Sequence, residues 1–92
     1  MRIIGLDIGD KTIGVSVSDP LGLTAQGITT IHRKNKEKDT AEIKRYIDLY
    51  DAQLIVSGMP KNMNGSIGPQ GEKVIKYCNY LKNKLQIEVV FW

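Results

Sequence analysis

Two short runs separated by a three-residue turn, RIIGLDI (2–8) and TIGVSVSD (12–19), constrain this chain more than any other feature. The first is almost continuously apolar, which suits a central strand covered on both faces. The second alternates, with Ile13, Val15 and Val17 on one face and Gly14, Ser16 and Ser18 on the other. Gly9-Asp10-Lys11 reads as a turn, and so short a connection predicts an antiparallel hairpin. Beyond Pro20-Leu21-Gly22, the Thr- and Ile-rich run LTAQGITTI (23–31) extends the hairpin to a three-stranded meander.

The period then changes. HRKNKEK (32–38) is a solvated basic connection, and Asp39 with Glu42 three residues on resembles a capping box. Ile43, Tyr46, Ile47 and Tyr50 recur at helical spacing, predicting a helix over 40–50. AQLIVSG (52–58) is a fourth strand. MPKNMNGSIGPQG (59–71), with two prolines and three glycines, begins as a loop, and Pro69 suits the first turn of a second helix. Val74, Cys78, Leu81 and Leu85 give that helix an apolar stripe to about residue 84, and QIEVVFW (86–92) is a fifth strand. The order β-β-β-α-β-α-β predicts an α/β fold. Its mixed five-stranded sheet has order 3-2-1-4-5, with strands 1, 4 and 5 parallel. Residues 1–92 read as one domain.

Composition narrows the function classes. Ninety-two residues suffice for one small domain, and a net charge of +3 with pI near 9.1 admits a polyanionic partner. One cysteine, Cys78, rules out an internal disulfide and predicts a reducing, cytoplasmic setting. No signal peptide or bilayer-length apolar stretch is expected. His32 is the sole histidine, so a zinc site or histidine-based triad has little support. Tyr77, Tyr80 and Trp92 read as packing residues, and Cys78 as core.

Asp7 breaks the pattern, because an ionised carboxylate in a buried strand costs several kcal/mol unless it is paired, solvated or bound to a cation. Two readings are open: Asp7 caps the turn by accepting amides of residues 9–11, or it binds a cation. Asp10 and Asp19 read as turn residues. In a sheet of this order, ligands gather at the carboxyl ends of the parallel strands. Strand 1 ends at Asp7-Ile8-Gly9 and strand 4 at Ser57-Gly58, so Asp7 and the loop around Asn62, Asn64 and Ser66 are expected to share a crevice.

The stretch MRIIGLDIGDKTIGVSVSDPLGLTAQGITTI resembles the N-terminus of the YqgF (RuvX) family, and IVSGMPKNMNGSIGPQGEKV resembles that family's Gly-x-Pro-x-x-Met-x-Gly-x-x-Gly-Pro-Gln loop. The resemblance runs over essentially the whole chain. It implies an RNase H-like fold and a metal-dependent nuclease, with Mg²⁺ or Mn²⁺ as cofactor. The implied task is 5′ processing of pre-16S rRNA or Holliday junction resolution, so the implied partner is pre-rRNA or branched DNA. It makes Asp7 a catalytic metal ligand. It places Lys11, Lys61, Asn62, Asn64, Gly65 and Ser66 as candidates for contact with phosphate. Lys61 stands where the family more often has a small or apolar residue. The family continues into an Asp-Glu-Arg-Leu-Thr-Thr motif and a C-terminal helix, each carrying a further acidic residue. This chain stops at Trp92, about where that motif begins, so it is expected to be C-terminally incomplete, with a bared sheet face and self-association as consequences.

Two other classes compete. GLDIGDKTIGVSVSD also resembles the first phosphate loop of actin, Hsp70 and sugar-kinase domains, but that class needs a second similar half that 92 residues cannot hold. A non-catalytic nucleic-acid-binding module would bind without metal and tolerate loss of Asp7.

Overall fold

The computed structural model describes residues 1–19, 21 and 24–92. Pro20, Gly22 and Leu23, which belong to the predicted turn and the start of the predicted third strand, lie outside the described residues. The elements are β1 (Arg2–Ile8), β2 (Thr12–Ser18), β3 (Ala25–His32), α1 (Lys36–Tyr50), β4 (Ala52–Ser57), α2 (Pro69–Leu85) and β5 (Glu88–Phe91). They form one sheet of order β3-β2-β1-β4-β5. β1 runs antiparallel to β2 and parallel to β4, and β4 runs parallel to β5. The meander and the two crossovers are therefore as the sequence predicts.

Burial separates the two faces of the sheet. Ile4, Leu6 and Ile8 of β1 join Ile13, Val15 and Val17 of β2 and Ile55 of β4 in one buried cluster. Ile43 of α1 and Val74, Cys78 and Leu81 of α2 belong to the same cluster, so both helices cover the same face. β1 is thus covered on one face, not on both as its apolar run suggested. Ile3, Gly5 and Asp7 face the other way and are left open by these 92 residues. The two helices are also joined by a 3.0 Å hydrogen bond between the Thr40 and Tyr77 hydroxyls.

α1 begins earlier than predicted. Asn35 is its N-cap, and its Oδ1 accepts from the Lys38 amide at 2.8 Å. The predicted Asp39 capping box is therefore corrected: Asp39 lies within the first turn and is buried. There it accepts the Lys34 amide at 3.0 Å and pairs with Arg33 Nε at 3.5 Å. Apolar periodicity marks only where a helix meets its core, and the first turn of α1 extends beyond that contact. By the same token, part of the run expected to be a solvated connection is helix, and His32 belongs to β3. α2 matches its prediction closely and ends on Gln86 in the left-handed region (φ 53°), which delays β5 to Glu88. No described helix is long and apolar enough to cross a membrane.

Candidate nucleic-acid site at the carboxyl end of β1

Asp7 is exposed on the open face, so the expected cost of burying its charge does not arise. Among the described residues its carboxylate accepts no hydrogen bond. The hairpin turn closes without it, through Gly9 N donating to Thr12 O at 2.8 Å. The turn-capping reading of Asp7 is therefore not what the structure contains.

Around Asp7 the open face is a shallow depression of about 450 Å³ with a floor of small residues, Gly5, Gly14, Ser16, Gly27 and Gly58. Asp7 is directly paired with Gly14 across the β1–β2 ladder. A Cβ at Gly5 would collide with Ser16 Oγ, whereas one at Gly14 would make only an ordinary contact and one at Gly27 or Gly58 would stand in open space. Gly58 is drawn in by its amide donating to Leu6 O at 3.1 Å. Trp92 walls the depression, its backbone bonded both to Ser57 O (2.9 Å) and to the Met59 amide (3.2 Å). Trp92 is 92% exposed and lines the site, correcting its assignment as a packing residue; Tyr77 is buried and stacks 6.2 Å from Tyr80, as expected of core.

The loop candidates hold one another. Asn62 N donates to Ser66 O and Gly65 N to Asn62 O, both at 2.8 Å. Asn64 Oδ1 accepts from Ser66 N at 3.0 Å and from Ser66 Oγ at 2.6 Å, and Asn62 Nδ2 donates to Ser66 Oγ at 3.1 Å. Gly65 has φ +83°, a conformation glycine adopts without strain. At Gly71 a side chain would strike Pro60 O, so the loop can pack closely on the first turn of α2. Of this segment, Gly58 lines the Asp7 depression, while Asn62, Asn64, Gly65 and Ser66 form a separate exposed knot beside it, with Lys61 exposed at its start. Lys11 is exposed at the crest of the hairpin turn.

Sequence reasoning missed Arg33, which it read as part of a solvated run. Arg33 Nη1 donates to Gly9 O at 2.7 Å, and its amide donates to Lys11 O at 2.9 Å, so this one residue fixes the turn that carries Lys11.

Among the described residues no group of three or more His, Cys, Asp or Glu side chains converges on one point. A hard divalent cation takes several oxygen ligands. The described residues therefore fit one ligand of such a site, Asp7, and not the whole of it.

The profile of the family described as "RuvX: Holliday junction resolvase" matches residues 1–92. A Clostridium beijerinckii protein, named as a candidate pre-16S rRNA nuclease, is 62% identical over 92 residues. The match covers all of this chain and 67% of that protein. A Clostridium botulinum (strain Hall) protein of the same name is 60% identical, with the same coverage. Among solved structures, Thermus thermophilus RuvC in complex with a Holliday junction substrate has a TM-score of 0.70 at 10% identity, over all of this chain and 64% of that one. A chain named as a candidate sugar kinase, from Cytophaga hutchinsonii, gives 0.63 at 14% identity, but only 35% of it is covered. Identities this low establish a shared fold, the RNase H-like one, and nothing finer. The family match, over the full 92 residues and with relatives at 60% identity or more, makes this chain a member of the RuvX family.

Proposed function

We propose that this chain is the Asp7-bearing domain of a metal-dependent, cytoplasmic nuclease that hydrolyses phosphodiesters in the 5′ processing of pre-16S rRNA. The observation that carries this reading is Asp7 itself, an exposed carboxylate without a hydrogen-bond partner among the described residues, on a floor of glycines at the carboxyl end of a central strand. Such a carboxylate makes no hydrogen bond among the described residues that the fold would need, and a floor of four glycines and one serine leaves room for a sugar-phosphate backbone.

On this reading Asp7 holds one of the ions, Mg²⁺ or Mn²⁺, whose hard oxygen preference matches a carboxylate. When bound, the ions supply an activated water and offset charge on the phosphodiester. The remaining ligands come from outside these 92 residues; this chain spans 67% of its Clostridium beijerinckii relative. Lys11 at the turn crest and Lys61 at the loop start neutralise flanking phosphates. Within the Asn62–Ser66 knot, whose Asn62, Gly65 and Ser66 amides bond within it, the Asn64 side-chain amide is a donor left for the same backbone. The knot's side chains are already held in place by one another.

The names of the sequence relatives, at 60% identity or more, support RNA processing, while the family description and the resolvase structures, at 10–16% identity, support junction resolution as the second reading. The test is cleavage of a labelled pre-16S 5′ leader and of a four-way DNA junction in Mg²⁺ or Mn²⁺. It compares this chain alone with this chain extended by the remainder of the Clostridium beijerinckii relative. Metal-dependent cleavage of the leader by the extended form, abolished by Asp7→Asn, is the expected result. Binding that needs no metal and survives Asp7→Asn, with no cleavage by either form, would identify a binding module instead.

A further inference from the structure

A second cavity, of about 270 Å³, opens on the helical side of the same strand end. Four cations, Arg33, Lys36, Lys73 and Lys76, line it together with Asp10 and Tyr77. They come from three separate parts of the chain: the β3–α1 connection, the first turn of α1 and the first two turns of α2. The cavity is therefore a product of the fold rather than of one basic run. Arg33 is held there by Gly9 O, by Asp39 and by the Tyr77 ring, 5.1 Å from its guanidinium. Lys36 lies 4.3 Å from the Tyr80 ring centroid, and Lys73 reaches Asp10 at 3.6 Å. Against the four positive charges stand two carboxylates, Asp10 on the wall and Asp39 behind Arg33, leaving a net charge of +2. Gln70, in the first turn of α2, also lines the cavity, and that helix start carries no side-chain cap. Its positive dipole end adds to the attraction for an anion.

The charge and size together define the ligand. A net +2 matches a phosphomonoester, which carries nearly two negative charges at neutral pH, better than an internal phosphodiester with one. The cavity is just below the usual range for small-ligand pockets, about 300–1,000 Å³, and Ile8 and Val74 give it apolar wall. This suits a phosphate together with part of the nucleoside that bears it. Asp7 and Ile8 are consecutive, so their side chains point to opposite faces of the sheet. The Gly9–Lys11 turn follows Asp7 and Ile8 directly and lends Asp10 to the cavity wall, so the depression and the cavity meet at this turn.

We propose that this cavity is a phosphomonoester site that takes a 5′-phosphorylated nucleotide, either as the end of an RNA strand or as a free nucleoside monophosphate. The strand-end form rests on the nuclease reading above, whereas the free-nucleotide form does not.

The test is equilibrium binding to this chain of a short RNA with a 5′-phosphate, the same RNA with a 5′-hydroxyl, AMP and adenosine. The variants are Lys36→Gln/Lys76→Gln, both positions being exposed and compatible with folding, and Asp7→Asn. The expected preference for the phosphorylated member of a pair is about tenfold, the worth of one charge-assisted contact. It disappears in the double lysine variant and persists in Asp7→Asn. A preference within the RNA pair alone assigns the site to strand ends, and one within the AMP pair alone assigns it to the free nucleotide. Equal binding within both pairs would overturn the proposal, as would a preference unchanged by the lysine substitutions. Failure of RNA to bind in either form, with AMP still preferred over adenosine, would count against the nucleic-acid reading and leave the cavity's assignment standing.

Discussion

Asp7 on β1 and Gly14 on β2 are register partners on the open face, and the glycine leaves one flank of the carboxylate bare. A Cβ at position 14 would stand 3.6 Å from Asp7 Cβ, an ordinary contact. Gly14→Ala should therefore fold as well as the parent and gain about 0.5 kcal/mol, since glycine weakens a strand interior. Gly14→Val should leave the fold intact but lower nucleic-acid affinity, because its branches rise beside Asp7 where a backbone must lie. Thermal melts and binding isotherms of the two variants check this; equal affinity for all three chains would mean the floor is not an approach surface.

Asp7→Asn should leave stability within about 0.5 kcal/mol of the parent. The carboxylate is exposed and makes no hydrogen bond among the described residues, so removing its charge costs the fold nothing. A urea melt checks this. It is also the control that makes any loss of cleavage in this variant a chemical result.

Asp39 behaves in the opposite way. It is 3% exposed, accepts the Lys34 amide and pairs with the half-buried Arg33. Asp39→Ala leaves that amide and that guanidinium short of a partner, at a cost of about 2 kcal/mol. For a domain of this size, that is roughly 10 °C in Tm. Arg33 also pins the Gly9 carbonyl, so the hairpin turn should loosen, seen as faster amide exchange at Arg33, whose N–H bonds Lys11 O.

Strand order and the bounds of α2 were legible because period-2 and period-3.6 patterns are local and opposite in kind. The first and second strands differ in which positions are small, and that alone shows the hairpin. The start of α1 was hidden, because Asn35 sits in a polar run with no periodicity and Asp39 offers the same capping chemistry four residues later. The exposure of Asp7 was hidden too: a run such as RIIGLDI does not say which face the helices will cover. That depends on the crossovers returning both helices to one side. Arg33 and Trp92 acquire their roles only through partners far away in sequence, Gly9 for one and Ser57 for the other.

The open face is glycine-lined at Asp7 but apolar toward β5. There Val56 pairs with Val90, which is 37% exposed, and Trp92 follows. Among the described residues β5 is also an edge strand, with one side of its ladder unpaired. The self-association expected from the sequence would use that edge and its apolar strip. Sedimentation velocity should show concentration-dependent association, weakened by Val90→Lys with the melt unchanged. A monomer at every concentration would refute it.

Alkaline pH should destabilise the fold through two buried groups. Burial is the main cause holding the Tyr77 hydroxyl above its ordinary 10.0; Asp39 adds to it, while the Thr40 hydrogen bond and Arg33 partly offset it. Burial likewise raises the Cys78 thiol above 9.0, partly offset by the Ser57 hydroxyl. In both, the neutral form is the one the folded state favours, so folding raises the pKa. The stability this contributes is fully present below the unfolded values, 9.0 for the thiol and 10.0 for the phenol, and is lost as pH rises through the higher folded values. Urea midpoints should therefore be insensitive to these groups below pH 9.0 and fall above it. Tyr77→Phe should cost about 1 kcal/mol at neutral pH, because the buried Thr40 hydroxyl loses its partner. It should also flatten the decline above pH 10.0, leaving the part that begins near 9.0. An unchanged slope in Tyr77→Phe would show that the tyrosine ionises no differently in the folded and unfolded chains.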